Sequence, residues 1–157
     1  MWDAKIVDSE NDIYLTCSAD RTIRKWRGNV EIGCYTGHAD VVRKLYVFPG
    51  GKLFASASND CTIKIWDTES GKELQTLHGH DSFIYDLALL SNGDLVSTAE
   101  DRSVRIWRNG SVRQAITLPC ISVWCVAVLP NDDIAVGGSD KQIYVFTADQ
   151  SRAATAE

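Results

Sequence analysis

The sequence has no uninterrupted run of about 18 apolar residues, the length that a membrane-spanning helix requires. Its first residues, Met1 to Lys5, show no basic region followed by an apolar stretch, so they do not predict export. Basic charge is also scarce: 16 lysines and arginines face 21 acidic residues, a net charge of −5. Binding to a nucleic-acid backbone needs a basic patch. We therefore expect a cytoplasmic or nuclear protein with no membrane partner and no nucleic-acid partner.

Metal-binding and disulfide patterns are missing as well. The five cysteines are odd in number and none of them forms a C-x-x-C pair, which favours reduced, partly buried thiols. The three histidines, His38, His78 and His80, do not combine with cysteines at the spacing of a zinc site. We expect no metal and no cofactor.

What the sequence does contain is a fourfold internal repeat. In each copy an aromatic residue follows an aspartate by six positions, and the aspartates are 40, 41 and 39 residues apart. The four pairs are Asp20 with Trp26, Asp60 with Trp66, Asp101 with Trp107, and Asp140 with Phe146. A Gly-His pair precedes the second and third copies. This pattern resembles the WD repeat, in which each unit forms one blade of a β-propeller.

The distribution of apolar residues agrees with that resemblance. Apolar runs at residues 41–48, 83–90 and 122–129 each end at a turn signal, and residues 62–66 and 103–107 alternate like half-buried strands. We predict an all-β WD-repeat propeller with four blades of four-stranded antiparallel sheet, forming an incomplete part of a seven-bladed propeller. Nothing after Phe146 predicts an outer strand for the last blade. The predicted blades span approximately residues 1–35, 36–77, 78–118 and 119–146, and a linker or tail spans residues 147–157.

The recurring serine, histidine and aspartate residues admit two interpretations. A Ser/His/Asp set can form a hydrolase site, but a nucleophile needs one exposed cleft with an oxyanion hole and has no reason to recur at the blade period. In WD repeats the same residue types form a hydrogen-bonded network with the tryptophan. The resemblance therefore implies three structural sets: Thr16, Asp20 and Trp26; His38, Ser56, Asp60 and Trp66; His80, Ser97, Asp101 and Trp107. In the last unit Val136 and Phe146 replace the serine and the tryptophan.

Several segments resemble one WD-repeat family more closely. They include GHDSFIY at residues 79–85, STAEDRSVRIW at residues 97–107 and ITLPCISVWC at residues 116–125. These segments are similar to the phospholipase A-2-activating protein family, which includes the Doa and ubiquitin-fusion-degradation proteins of fungi. The resemblance implies a seven-bladed propeller that binds ubiquitin on one face. It also implies recruitment of the AAA ATPase valosin-containing protein, but only through family domains that this sequence does not contain.

The residues themselves support a protein-binding face. Four equivalent positions start the inner strands: Trp2, Arg43, Tyr85 and Trp124. Their predicted neighbours on this face are Asp3, Asp40, Asp81, Phe83, Asp86 and Glu100. Aromatic and arginine anchors are typical of binding hot spots, and carboxylates around them would suit the basic residues that flank the apolar patch of ubiquitin.

The leading hypothesis is a non-catalytic scaffold that binds ubiquitin or ubiquitinated proteins in ubiquitin-dependent degradation. The alternatives are a WD-repeat scaffold of another multiprotein complex and, least favoured, a Ser/His/Asp hydrolase. Four blades would leave two blade faces and one strand edge uncovered. The chain could therefore be a fragment of a longer protein, a head-to-tail homodimer of 4 + 4 blades, or a strained four-bladed ring.

Overall fold

Fifteen strands and no helix form the described part of the chain, residues 1–147, in the computed structural model. They form three sheets of four strands and a fourth sheet of three strands, with neighbouring strands in chain order within each sheet. The all-β prediction is confirmed over this range, and the last sheet lacks an outer strand among residues 1–147, as expected. The predicted tail from residue 148 onward lies outside the described residues.

The strands have the following bounds. The first sheet contains β1 Asp3–Asp8, β2 Ile13–Cys17, β3 Ile23–Arg27 and β4 Val30–Tyr35. The second contains β5 Val42–Val47, β6 Leu53–Ser58, β7 Thr62–Asp67 and β8 Glu73–His78. The third contains β9 Ile84–Leu89, β10 Leu95–Ala99, β11 Ser103–Arg108 and β12 Ser111–Thr117. The fourth contains β13 Val123–Val128, β14 Ile134–Gly138 and β15 Ile143–Phe146. The predicted blade boundaries stay a prediction.

The hairpin between β11 and β12 shows how the local sequence determines the fold. Arg108 pairs with Ser111 across the turn. The two residues between them, Asn109 and Gly110, have φ angles of 51° and 81°. A two-residue loop of type I′ requires positive φ at both positions, and Asn-Gly adopts these angles at low cost. Asn109 and Gly110 therefore form a turn of this type.

Residues 1–85 form one compact unit, and the described residues from 86 to 147 belong to a second. In the first unit, Leu15 of β2 belongs to the same buried cluster as Phe54 of β6 and Trp66 of β7. The ring of Tyr35 meets that of Phe54 edge-on at 5.0 Å, and its hydroxyl donates to the carbonyl of Thr68 at 2.7 Å. Apolar packing and one buried polar bond thus join the first two sheets.

In the second unit, the third and fourth sheets share one apolar cluster. Val96 and Val104 of the third sheet lie in it with Val123 and Val136 of the fourth. Val136 is the residue that replaces the repeat serine, and it is 1% exposed. Apolar packing therefore occupies the place where the other repeats carry a hydroxyl group.

The outer face of the fourth sheet is uncovered within the described residues. Ile143 and Val145 of β15 are 78% and 57% exposed. Their equivalents one repeat earlier, Val104 and Ile106, are 0% and 9% exposed. A face of this composition is the kind that another sheet covers. The head-to-tail pairing of two copies stays a prediction.

Polar networks link the strands inside the sheets. In the second sheet, Trp66 Nε1 donates to Ser56 Oγ at 2.8 Å. The two nitrogens of the His38 ring lie 2.7 Å from Ser56 Oγ and 2.7 Å from Asp60 Oδ2. Asp60 also accepts from the backbone amide and the hydroxyl of Thr62. Ser56 is fully buried and His38 is 7% exposed, so these bonds replace water for groups that would otherwise be unsatisfied.

The network also fixes the protonation of Asp60. Burial alone would raise the pKa of its carboxyl, but hydrogen bonds from His38 and Thr62 and the charge of His38 outweigh burial and hold the pKa well below its ordinary value. A carboxyl whose pKa is lower in the folded state than in the unfolded state stabilises the fold above its unfolded pKa of about 4. That contribution is lost as the pH falls towards the folded-state pKa.

The first and third sheets contain parts of the same arrangement. Trp26 Nε1 donates to Thr16 Oγ1 at 2.9 Å, and Trp107 Nε1 donates to Ser97 Oγ at 2.8 Å. The aspartates Asp20 and Asp101 each accept from the amide and hydroxyl of the residue two positions later. His80 is 5% exposed.

We predict that Ser56→Ala lowers the free energy of unfolding by about 2 kcal/mol, because it leaves the Trp66 indole N–H and one His38 nitrogen buried without a partner. Urea unfolding monitored by tryptophan fluorescence measures the change. Ser70→Ala is the matched control, since the Ser70 hydroxyl bonds to Asp67 on an exposed turn; we expect a loss below about 0.5 kcal/mol there. Equal losses in the two variants would contradict the structural role of Ser56.

Candidate protein-binding surface

Arg43 lies at a β-bulge in the inner strand of the second sheet. In the pairing of β5 with β6, Val42 is opposite Ser58 and Lys44 is opposite Ala57, so Arg43 is the extra residue. A bulge bends the strand and changes the direction of the inserted side chain. Arg43 therefore departs from the in-and-out alternation of its strand.

The same irregularity occurs in the fourth sheet. There the pairing of β13 with β14 shifts between Val123 and Cys125, so Trp124 is the extra residue. Trp124 is 58% exposed. Arg43 and Trp124, which the sequence places at equivalent starts of inner strands, are thus both bulge residues.

Three aromatic rings surround the Arg43 guanidinium group in the first unit. Its central carbon lies 4.8 Å from the centroid of Trp2, 5.2 Å from that of Tyr85 and 5.9 Å from that of Phe83. Each distance is within the range of a cation–π interaction. We call Trp2, Arg43, Phe83 and Tyr85 the Arg43 cluster.

The Arg43 cluster combines fixed geometry with exposure to solvent. Trp2 is 55% exposed and Phe83 is 39% exposed, whereas Arg43 and Tyr85 are half-buried. Exposed aromatic rings arranged around an arginine are the side chains that dominate protein-binding hot spots. The structure thus brings four of the ten predicted face residues together.

Asn59 holds Arg43 in place, and the sequence analysis missed this residue. The Nε–H group of Arg43 donates to Asn59 Oδ1 at 2.5 Å. The backbone amide of Asn59 donates to the carbonyl of Val41 at 2.9 Å, which ties the turn after β6 to the inner strand. Asn59 immediately precedes the repeat aspartate, as Glu100 does in the next unit, and this equivalence was a signal that could have identified it.

The carboxylates of two predicted face residues accept hydrogen bonds from backbone amides. In the first unit Asp3 Oδ2 accepts from the amide of Leu45 at 3.1 Å. In the second unit Asp86 Oδ2 accepts from the amide of Val126 at 3.0 Å. Leu45 and Val126 are equivalent positions, two residues beyond the bulge residues. Each carboxylate therefore satisfies an amide next to a bulge on the neighbouring inner strand.

This arrangement corrects the prediction for Asp86. Asp86 is only 9% exposed, so its carboxylate is not available at the surface. The physical reason is that β13 is the edge strand of its sheet, so the amide of Val126 requires an acceptor outside the sheet, and Asp86 supplies it. Asp3 is less buried, with 16% of its side chain exposed, and it also lies 3.7 Å from Lys5 Nζ.

Three more predicted face residues are acidic and differ in exposure. Asp40 is half-buried, and its carboxylate accepts from the amide of Val41 at 2.6 Å. Asp81 is exposed in the segment before β9. Glu100, in the second unit, is half-buried in the turn after β10. Among residues 1–147, no three His, Cys, Asp or Glu side chains are grouped to hold a metal ion, and no helix there could cross a membrane.

Comparison with protein families matches three segments, residues 29–67, 71–108 and 114–147, to the WD domain, G-beta repeat. These segments cover well over half of the chain. The chain belongs to the WD-repeat family. The fourfold repeat, the four-stranded sheets and the buried tryptophan–hydroxyl bonds are thus features of WD-repeat blades.

Solved structures and curated relatives narrow this assignment. The WD-repeat chain matches the crystal structure of the WD40 β-propeller domain of Doa1 with a TM-score of 0.94 and 48% identity, over 98% of this chain and 52% of that one. It is 49% identical over 121 residues to the ubiquitin homeostasis protein lub1 of Schizosaccharomyces pombe, which covers 76% of this chain and 16% of that protein.

Two further relatives agree. The ubiquitin fusion degradation protein 3 homolog of Caenorhabditis elegans is 39% identical over 156 residues, which is 90% of this chain and 17% of that protein. The phospholipase A-2-activating protein of Xenopus laevis is 44% identical over 132 residues, or 77% of this chain and 16% of that protein. The resemblance to the phospholipase A-2-activating protein family is confirmed. The chain spans about a sixth of the length of these relatives.

We predict that Asp86→Ala destabilises the protein by about 2 kcal/mol, because the amide of Val126 loses a buried charged acceptor. Chemical denaturation measures the loss, and faster hydrogen exchange at the Val126 amide locates it. The control is Glu10→Ala, which removes an exposed carboxylate from a turn and should change stability by less than about 0.5 kcal/mol. An unchanged exchange rate at Val126 in the Asp86 variant would exclude this tie between inner strands.

Proposed function

We propose that this WD-repeat chain is a non-catalytic docking module of the ubiquitin system, and that its Arg43 cluster binds ubiquitin or ubiquitinated proteins. The observation that carries the proposal is the cluster itself. Trp2 and Phe83 expose aromatic surface beside a guanidinium group that Asn59 holds in one position. Anchors that are ordered before binding lose less conformational entropy when a partner docks.

The relatives support ubiquitin as the partner. Two of them carry names that refer to ubiquitin homeostasis and to ubiquitin fusion degradation. The matched propeller structure belongs to Doa1, a member of the family that the sequence resembles. The Arg43 cluster offers an apolar surface that could receive the apolar patch of ubiquitin.

The burial of the polar networks supports a role without catalysis. Ser56 is fully buried, and its hydroxyl already contacts Trp66 Nε1 and His38 Nε2. A nucleophile requires access to substrate and donors for an oxyanion, whereas these groups are used to join strands. The Ser/His/Asp hydrolase alternative thus lacks an accessible nucleophile at Ser56.

A titration of ¹⁵N-labelled ubiquitin with this chain tests the proposal. We expect shifts confined to one apolar patch of ubiquitin, and the double variant Trp2→Ala/Phe83→Ala should bind at least about tenfold more weakly because both anchors are truncated. Leu74→Ala is the matched control, since Leu74 is 51% exposed on the outer strand β8 of the same unit. We expect it to bind like the unmodified chain.

Two results would decide against the proposal. The absence of shifts in ubiquitin with the unmodified chain would remove ubiquitin as the partner. Equal losses in the Leu74 variant and the double variant would remove the Arg43 cluster as the site. A pull-down dominated by one stoichiometric complex without ubiquitin would favour the alternative, a WD-repeat scaffold of another assembly.

A further inference from the structure

The Arg43 guanidinium group has donors that the protein does not use. Arginine has five N–H groups, and only the Nε–H group of Arg43 has an acceptor, Asn59 Oδ1. Within residues 1–147 the four N–H groups on its two terminal nitrogens have no hydrogen-bond acceptor and no ion-pair partner. The aromatic rings of the Arg43 cluster interact with the cation through their faces and cannot accept hydrogen bonds as an oxygen atom does.

The acidic residue nearest to Trp2 in sequence does not neutralise this charge. The carboxylate of Asp3 bonds to the amide of Leu45 and lies within 4.0 Å of Lys5 Nζ and Lys44 Nζ. The carboxylate of Asp40 accepts from the amide of Val41. Arg43 is therefore a half-buried cation that three rings partly shield from water and that no carboxylate of the described residues pairs with.

We infer that Arg43 is the specificity-determining residue of the cluster and receives a carboxylate from the partner, with an apolar side chain of the partner lying on Trp2 and Phe83. The planar terminal nitrogens of arginine match the two oxygens of a carboxylate. The rings lower the local polarity, which strengthens the ion pair relative to one in open water. This inference rests on the proposed function and adds that, among the basic residues that flank its apolar patch, ubiquitin presents one carboxylate to Arg43.

Asn59 is the positioning residue for this contact. Its side-chain oxygen holds the Nε edge of Arg43, so the opposite edge, with the terminal nitrogens, is left for the partner. Asn59 is neutral and so holds the arginine without cancelling its charge. A carboxylate at the same place would hold it equally well but would compete with the partner's carboxylate.

The first test uses small probes and does not depend on ubiquitin. The full ¹⁵N-labelled chain is titrated with N-acetylleucine, which carries a carboxylate beside an apolar side chain, and separately with N-acetylleucinamide, its neutral analogue. We expect N-acetylleucine to shift the Arg43 Nε–H and Trp2 Nε1–H resonances with at least about threefold higher affinity than the amide, a typical strength for a partly exposed ion pair.

Variants then separate charge, geometry and stability. Arg43→Lys keeps the charge but loses the planar pair of nitrogens, and should weaken ubiquitin binding about tenfold. Arg27→Lys is the matched control, because Arg27 is exposed at the end of β3, and it should bind normally. Asn59→Asp should abolish the preference for N-acetylleucine while leaving the affinity for N-acetylleucinamide and the melting temperature unchanged, which a merely structural role for Asn59 would not produce.

Each outcome bears on one proposal or the other. If ubiquitin binds, but Arg43→Lys binds it within twofold of the unmodified chain and the two probes bind equally, the carboxylate contact is overturned while the proposed function stands. If ubiquitin does not bind, but N-acetylleucine keeps its preference and Asn59→Asp removes it, the contact stands and the proposed partner is wrong. If neither binds, both are overturned.

Discussion

The bulges in the inner strands are the constraint on which the surface of this protein depends. A bulge places one residue outside the regular pairing and leaves nearby backbone groups to find other partners. Here the carboxylates of Asp3 and Asp86 accept from the amides of Leu45 and Val126, two positions beyond the bulge residues. This hydrogen bond from a backbone amide to a carboxylate thus occurs once in each unit. It satisfies these amides, and the bulges take Arg43 and Trp124 out of the alternation of their strands.

The remaining polar groups of the repeats stabilise the sheets. Hydroxyl groups on the second strands of three sheets accept from tryptophans on the third strands, at 2.8–2.9 Å. Because these groups are partly or fully buried, the residues that look most like a catalytic set contribute to stability. In the first unit, the exposed aromatic surface of Trp2 and Phe83 beside the Arg43 cation is left for binding. The face is therefore cationic at the Arg43 cluster, although the chain carries a net charge of −5.

The sequence predicts the fold well because both of its periods are explicit. Steps of 39–41 residues locate the repeats, and alternation locates strands such as Thr62–Asp67, where the predicted segment ends one residue earlier. The site is harder to predict, since a bulge breaks the alternation from which the direction of each side chain is inferred. Asp86 was assigned to the surface as a neighbour of Tyr85, but it is buried and accepts from the amide of Val126. Asn59 was missed because its role depends on where the bulge directs Arg43, although its repeat position matches that of Glu100.

We propose that ubiquitin docks on the Arg43 cluster. The most direct measurement is the intermolecular nuclear Overhauser effect between methyl-protonated ubiquitin and the otherwise deuterated chain, observed at the Trp2 indole N–H and at the Phe83 ring, with resonances assigned from Trp2→Phe and Phe83→Leu variants. We predict contacts from methyl groups of one apolar patch of ubiquitin to both Trp2 and Phe83. A saturated complex whose methyl contacts all fall on other residues of the chain would contradict it.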